Sequence, residues 1–199
     1  MGMLRLIHKF AATSWGYNVL QIMGGYWVTR PHWIKFFQDC QGTVVDIGGG
    51  TGMVGGMLSR PARYICLDNE SAKLDSIATQ AEGILGDACC MPIKTATADF
   101  VTCLAVTHHL SNDQLSSALR ECARVLKPGG TLKLADATWK PYRLPGRLLW
   151  AIDRGANPRT TEHLREAVSK YFQIERTDRM AFYHDYVAFT CRPRTVGKG

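Results

Sequence analysis

A short β-branched run that ends in an acid and passes directly into a glycine turn constrains this chain more than any other feature. Residues Thr43-Val44-Val45-Asp46-Ile47-Gly48-Gly49-Gly50-Thr51-Gly52 read as a strand, a carboxylate near its C-terminal tip and a loop that lets backbone approach a ligand closely. Such a corner predicts a βα unit with a ligand site at the carboxyl end of the strand. The acid narrows the ligand, because a carboxylate there repels a pyrophosphate and suits a cationic group.

Gly50-Thr51-Gly52-Met53-Val54-Gly55 also satisfies the dinucleotide fingerprint G-x-G-x-x-G. Its first glycine comes late, and Asp46 would sit beside the phosphates. A nicotinamide dinucleotide is therefore a weaker reading, and a purely structural glycine turn is another.

From residue 43 strands and helices alternate, the signature of a parallel sheet with helical crossovers. Strands are predicted at 43–47, 63–68, 83–86, 99–104 and 131–136. Helices are predicted near 52–60, along a face with Leu74, Ile77, Ala78 and Ala81, after an Asn112 cap with Leu115, Leu119, Cys122 and Leu126 on one stripe, and over 161–171. Lys127-Pro128-Gly129-Gly130 reads as a sharp stop and turn. Segments 173–177 and 186–190 read as two closing strands of a hairpin.

The 199 residues form one domain, 1–199, with an α/β core over 42–193. Residues 1–41 hold eight of the 19 aromatic residues, which sets them apart as two or three short helices broken at Gly24-Gly25 and Pro31. They either close over the ligand end as a lid or cap, or cover a sheet edge. Hydrophobic content of 46% and charged content of 21% exclude a disordered chain. A net charge of +7 favours anionic partners without choosing among nucleic acid, membrane surface and anionic substrate. Seven cysteines without a C-x-x-C pair fit reduced, buried thiols. No apolar run is long enough to span a bilayer, Arg5, His8 and Lys9 interrupt the N-terminal apolar stretch, and Leu6 departs from the myristoylation pattern. A cytoplasmic protein is expected.

Polar residues collect where this architecture puts its ligands. Asp46, Asp68 and Asp136 fall at predicted strand tips, Asp87 follows the third strand, and His108-His109 follow the fourth. Asp68, 22 residues beyond Asp46, suits a ribose diol, because a carboxylate accepts two hydroxyl hydrogens; that offset fits a nicotinamide dinucleotide equally. Asp87 suits an exocyclic amine of adenine, with the Ala88 backbone as donor to the ring. Each aspartate has an alternative reading as a turn or cap residue. Adjacent histidines without further ligands predict no metal site.

The motifs VVDIGGGTG (44–52), CLDNES (66–71), GDACCMP (86–92), DFVTCLAVTHHL (99–110) and RVLKPGG (124–130) together resemble the class I S-adenosylmethionine (SAM)-dependent methyltransferases, in the small-molecule group that includes ubiquinone-type enzymes. The resemblance runs over roughly 43–137 and weakens toward 191. It implies a Rossmann-like, seven-stranded, mostly parallel sheet with helices on both faces and one antiparallel inserted strand. It implies SAM as methyl donor and S-adenosylhomocysteine as product. Asp46, Gly48, Gly49, Gly50 and Gly52 would line the methionine end, Asp68 the ribose, Asn69, Asp87 and Ala88 the adenine, and Leu104 would lie under the ligand. Cys89-Cys90 departs from the more polar family pattern.

Methyl transfer from a sulfonium asks the protein for alignment and exclusion of water, and for a base only when the acceptor holds a proton. His109, and after it His108, stands where such a base acts; the alternative is a packing and a solvent-facing histidine. After the fourth strand the chain reads Leu104-Ala105-Val106-Thr107, not the Asn/Asp-Pro-Pro-aromatic motif of base N-methyltransferases, so a small-molecule acceptor is favoured over nucleic acid. The connection 138–159 combines Lys140, Arg143, Arg147, Arg154 and Arg159 with Trp139, Tyr142, Leu144 and Trp150. Arg147 and Arg154 share a face if 146–154 is helical. This segment suits a lipophilic or anionic acceptor or a peripheral membrane contact, and equally a solvated basic helix. A SAM-fold protein that binds without methylating, or catalyses another reaction, keeps the same motifs. No feature sets an oligomeric state.

Overall fold

The computed structural model of the chain describes residues 26–77, 81–142 and 157–194, together with Leu144, Gly146 and Trp150. In chain order the elements are α1 (Tyr26–Phe37), β1 (Gln41–Ile47), β2 (Arg60–Asp68), α2 (Ser71–Leu74), β3 (Ala81–Leu85), β4 (Ala98–Leu104), α3 (Asn112–Val125), β5 (Leu126–Thr138), α4 (Thr161–Ser169), β6 (Phe172–Ala181) and β7 (Asp185–Pro193). The seven strands form one sheet in the order β3-β2-β1-β4-β5-β7-β6. The first five are mutually parallel, and β7 runs antiparallel to both its neighbours, β5 and β6. This is the expected α/β architecture with its inserted antiparallel strand.

Strand alternation divides the core between the two faces. Val45, Ile65, Leu67, Val101, Cys103, Leu132, Leu134 and Phe189 point to one side, where α3 and α4 deliver Leu115, Leu119, Cys122, Leu164 and Val168. Val44, Tyr64, Cys66, Ala135 and Ala188 point to the other, against Trp33, Phe36, Phe37, Val54 and Met57. Each fully buried Leu, Ile or Phe side chain contributes about 1.5–3 kcal/mol of transfer free energy, so both layers matter to stability. Lys133, without solvent exposure on β5, reaches the α1 side and donates to the Phe36 carbonyl at 3.1 Å and to Asp39 at 2.9 Å, tying the end of α1 to the sheet.

Several local expectations need correction. Pro31 lies inside α1 and does not break it; burial of Trp33, Phe36 and Phe37 just beyond it offsets the lost backbone hydrogen bond. α1 covers a sheet face, not an edge; residues 1–25 lie outside the described residues. The helix expected near 52–60 is a series of turns with a 3-10 turn at Gly55–Met57, where a Cβ at Gly55 would stand 2.7 Å from the Tyr64 ring. Ala81 belongs to β3, and α2 is a single turn. The cap of α3 is Ser111, not Asn112: its side chain accepts the Gln114 N–H while Gln114 returns a bond to the Ser111 N–H. Lys127-Pro128-Gly129-Gly130 lies within β5 as an excursion between the pairs Ala98–Leu126 and Phe100–Thr131.

Candidate active site

β1 lies inside the sheet, flanked by β2 and β4, and both neighbours hold its acid. The buried Asp46 carboxylate accepts the Tyr64 hydroxyl at 2.6 Å and the Thr102 hydroxyl at 2.7 Å. Burial pushes its pKa up to about 6; the two hydrogen bonds work against that rise, and the Asp68 charge adds to it. The glycine turn rests directly on this group. A Cβ at Gly49 would lie 2.6 Å from Asp46 Oδ2 and 2.6 Å from Cys66 Sγ. Asp46 therefore lies under the turn, not at its surface. Gly48, Gly50 and Gly52 adopt φ of 61°, 57° and 78°, a left-handed run that other residues strain to make.

Asp68 latches the tip of β2 to this turn. Its Oδ2 accepts the Gly50 N–H at 2.9 Å and its Oδ1 the Glu70 N–H at 2.9 Å, with Lys73 Nζ at 4.0 Å. A carboxylate offers about four lone-pair sites, so these bonds leave acceptor capacity for a diol. The tip of β3 joins through the Gly86 N–H, which donates to the Asp68 carbonyl at 3.0 Å. Asp87 is exposed and accepts the Cys89 N–H at 2.8 Å, with Ala88 half-buried beside it and Asn69 exposed after Asp68. Half-buried Leu104 packs against the core on the Asp46 side of the sheet. The structure thus links Asp46, the turn, Asp68 and the start of the Asp87 loop by hydrogen bonds, steric contact and chain continuity.

A second polar cluster stands at the tips of β4 and β5. The buried Asp136 carboxylate accepts from His108 Nδ1 at 2.6 Å, from the His108 N–H at 3.1 Å, from the Ala137 N–H at 2.7 Å and from the Thr107 hydroxyl. Burial by itself raises its pKa; the His108 charge and these hydrogen bonds outweigh burial and hold the carboxyl below its ordinary value. The acid partner belongs to His108 and not to His109, which sequence reasoning preferred. His109 is exposed, its ring 4.1 Å from that of His108. Ala105, just before this turn, has φ of 57°, a sparsely populated conformation of the kind that collects at functional sites.

The returning chain straps the histidine turn in place. The Asn157 N–H donates to the His108 carbonyl at 2.9 Å, and the Arg159 guanidinium donates to the carbonyls of Thr107 and Leu110, both at 2.7 Å, and to Asn112 Oδ1. Arg159, expected among acceptor contacts, is instead a buried clamp. The heptad pair Arg147 and Arg154 lies outside the described residues. Trp150 stands with its ring 5.2 Å from His108 and 4.9 Å from His184, and the row continues through Tyr186 to Trp33. Sequence reasoning saw Asp136 as a strand-tip acid without its histidine partner, and nothing in the pattern around Arg159 marked the clamp.

Among the described residues no three His, Cys, Asp or Glu side chains converge as a metal-ligand group, and no helix is long and apolar enough to cross a membrane. A cavity of about 270 Å³ lies between α3 and α4, lined in part by Asn112, Ser116, Arg159, His163 and Glu166. The linked acids, glycine turn and histidines lie at the strand tips, and together they make the candidate site.

Comparison with known proteins agrees with this fold. A family model described as "Methyltransferase domain" matches residues 45–134. The ubiquinone/menaquinone biosynthesis C-methyltransferase UbiE of Escherichia fergusonii is 31% identical over 148 residues, which cover 65% of this chain and 57% of the relative. The chain thus spans little more than half the length of such curated relatives. Among solved structures, the methyltransferase in complex with the Haloferax volcanii Trm112 methyltransferase activator superposes with a TM-score of 0.74 at 17% identity, covering 90% of this chain and 95% of the other. The geranyl diphosphate C-methyltransferase of Streptomyces coelicolor, in complex with Mg2+, geranyl diphosphate and S-adenosylhomocysteine, superposes with a TM-score of 0.67 at 14% identity, covering 84% and 79%. Over residues 45–134 the chain is similar to a methyltransferase domain, and its fold is that of solved class I methyltransferases.

Proposed function

We propose that this chain transfers a methyl group from SAM to a small, lipophilic or anionic acceptor. One observation carries the reading: Asp68 at the tip of β2 holds the Gly50 N–H of a left-handed glycine turn that rests on Asp46. Two acids beside the turn suit an ammonium, a sulfonium and a ribose diol, and they oppose the pyrophosphate of a nicotinamide dinucleotide. The turn leaves a cradle that side chains would fill, since a Cβ at Gly48 would stand 2.6 Å from Val106 Cγ2.

In this reading Gly48, Gly49, Gly50 and Gly52 face the methionine end, with Asp46 supplying charge from below. Asp68 takes the ribose hydroxyls, Asn69, Asp87 and Ala88 border the adenine, and Leu104 forms the floor. The bound donor supplies a methyl on a positively charged sulfur, an electrophile that needs no further activation. The protein aligns the acceptor behind it and keeps water out. The histidine turn and Trp150 border the acceptor side. The quinone-pathway name of the UbiE relative supports a lipophilic ring as acceptor. Exposed Tyr142 and Leu144, in a segment rich in Lys and Arg, support collection of such an acceptor from a membrane surface. Seven free cysteines fit a cytoplasmic placement.

Calorimetric titration with SAM, S-adenosylhomocysteine, NADH and NADPH tests the reading. Saturable binding of the first two alone is expected. Binding of a nicotinamide cofactor instead overturns it. Binding of SAM without turnover of any acceptor favours the second reading, a SAM-fold protein that does not methylate.

A further inference from the structure

We propose that the cavity between α3 and α4 binds a small, hydroxyl-bearing phosphate ester, at a site separate from the positions of methyl donor and acceptor assigned above.

The cavity holds about 270 Å³, a volume for a small metabolite rather than a drug-sized ligand. Its wall on α4 and the C-cap is one helical stripe, His163, Glu166, Ala167 and Lys170, spaced at i, i+3, i+4 and i+7. Leu115 and Ser116 of α3 face that stripe. No strand-tip acid, no glycine of the turn after β1 and neither His108 nor His109 lines the cavity.

Charge points to an anion. Arg159 borders the cavity and is only 9% exposed. Its N–H groups go to the carbonyls of Thr107, Leu110 and Asn157 and to Asn112 Oδ1, none of which carries a charge. Burial lowers its pKa, and the charge of Asp136 opposes that only in part. Among the described residues no salt bridge engages Arg159, His163, Glu166 or Lys170. A buried cation without a counter-ion is costly, and an anion in the cavity supplies the missing charge. Arg159 acts there by charge alone, because its donors are already spent. Lys170 and His163 supply the hydrogen bonds.

The other lining groups narrow the anion. Two cations and an imidazole suit the nearly two charges of a phosphate ester at pH 7 better than the single charge of a carboxylate. Glu166 repels a bare phosphate but accepts a hydroxyl, which favours a hydroxyl-bearing ester. Ser116, whose hydroxyl is bonded to that of Tyr171, offers a second polar contact, and Leu115 and Ala167 suit a short carbon chain. Occupancy also reaches the strand tips. An anion beside Arg159 steadies the guanidinium that holds the Thr107 and Leu110 carbonyls, so the ester couples to the histidine turn.

The test titrates glycerol 3-phosphate into the full chain, with ionic strength held constant by sodium chloride, and reads calorimetry and 15N amide shifts. Saturable binding is expected, with shifts centred on Ser116, Ala167 and Lys170 and slower exchange of the Leu110 amide. Lys170→Ala and His163→Ala are each expected to weaken binding about tenfold. Lys94→Ala, an exposed lysine away from the cavity, is expected to leave the affinity unchanged. No saturable binding overturns the proposal. So does an equal loss in Lys94→Ala, which would make net charge the cause, or shifts centred on Gly48–Gly52, which would place the ester in the donor site. Inorganic phosphate binding as tightly as the ester overturns the role of the hydroxyls. Lys170-dependent binding to phosphatidylglycerol vesicles without binding of the soluble ester overturns it in favour of a lipid headgroup.

Discussion

Gly50 donates its backbone N–H to Oδ2 of Asp68 across 2.9 Å, so the glycine turn after β1 and the acid ending β2 behave as one unit. The same carboxylate holds the Glu70 N–H with its other oxygen. Asp68→Ala therefore removes the acceptor proposed for the ribose and leaves two backbone donors without their partner. Each such loss costs about 1–3 kcal/mol where water cannot replace the acceptor. We expect the variant to lose about 2 kcal/mol of stability in urea unfolding and to bind S-adenosylhomocysteine at least about a hundredfold more weakly. Asp68→Asn keeps one acceptor oxygen and should recover stability more than affinity. A folded Asp68→Ala with wild-type affinity would falsify the assigned pocket.

Gly49→Ala tests the contact between turn and acid. The added methyl would stand 2.6 Å from both Asp46 Oδ2 and Cys66 Sγ, neither of which has room to yield, because Asp46 is bonded to Tyr64 and Thr102. Overpacking of this kind costs about 1–3 kcal/mol and here displaces the turn itself. Thermal unfolding and calorimetry should show a lower Tm and loss of SAM binding together. Retained binding at a lowered Tm would mean that the turn's exact placement is unimportant to the ligand.

The sheet was legible because its strands carry β-branched runs bounded by turn residues at regular spacing, and the strand-tip acids followed from the sheet. Residues whose roles depend on distant partners were not legible. Asp136 needed the register of β4 against β5 to meet His108, and Arg159 needed the end of a long connection to return to residues 107–112. The helix expected at 52–60 failed for a related reason. Its glycines were read as a local start signal, whereas Gly55 answers to Tyr64 on the neighbouring strand. Asp46 was placed correctly at its strand tip, but its burial beneath the turn depends on Tyr64 and Thr102, each on a different strand.

Asp46 should leave a signature in the pH dependence of stability. It faces Tyr64 and Cys66, with the Asp68 charge nearby, and its pKa rises from 3.8 to about 6 on folding, chiefly through burial. A raised carboxyl pKa favours the folded protein fully below the unfolded value and progressively less as pH climbs to the folded value. The loss therefore falls between about pH 4 and pH 6 and amounts to roughly 3 kcal/mol. Asp46→Asn removes this dependence. It should match or fall below wild type at pH 4 and exceed it by roughly 1–3 kcal/mol at pH 7.5 in urea unfolding. If the cationic donor binds above this carboxylate, SAM binding near pH 6 should also release protons, which calorimetry in buffers of different ionisation enthalpy measures. A stability difference that does not vary with pH would refute the linkage.

Arg159 should govern the order of the histidine turn without touching its rings. Its guanidinium joins the carbonyls of Thr107 and Leu110, each at 2.7 Å, to Asn112 Oδ1 at the start of α3. Hydrogen bonds from a charged donor are worth about 1.5–3 kcal/mol each, and here they share one rigid fork. Arg159→Ala should cost about 3 kcal/mol, and Arg159→Lys should recover less than about half of it, because an ammonium cannot span three acceptors with the same geometry. The local effect is more diagnostic than the global one. The Leu110 N–H donates to the Thr107 carbonyl that Arg159 also holds, and the His109 N–H donates to Val106. Both amides should exchange with solvent markedly faster in the alanine variant than amides of β4 or β5, under conditions where the protein stays folded. Equal protection of the turn with and without Arg159 would show that the strap is held by Asn157 and Trp139, which also donate across it.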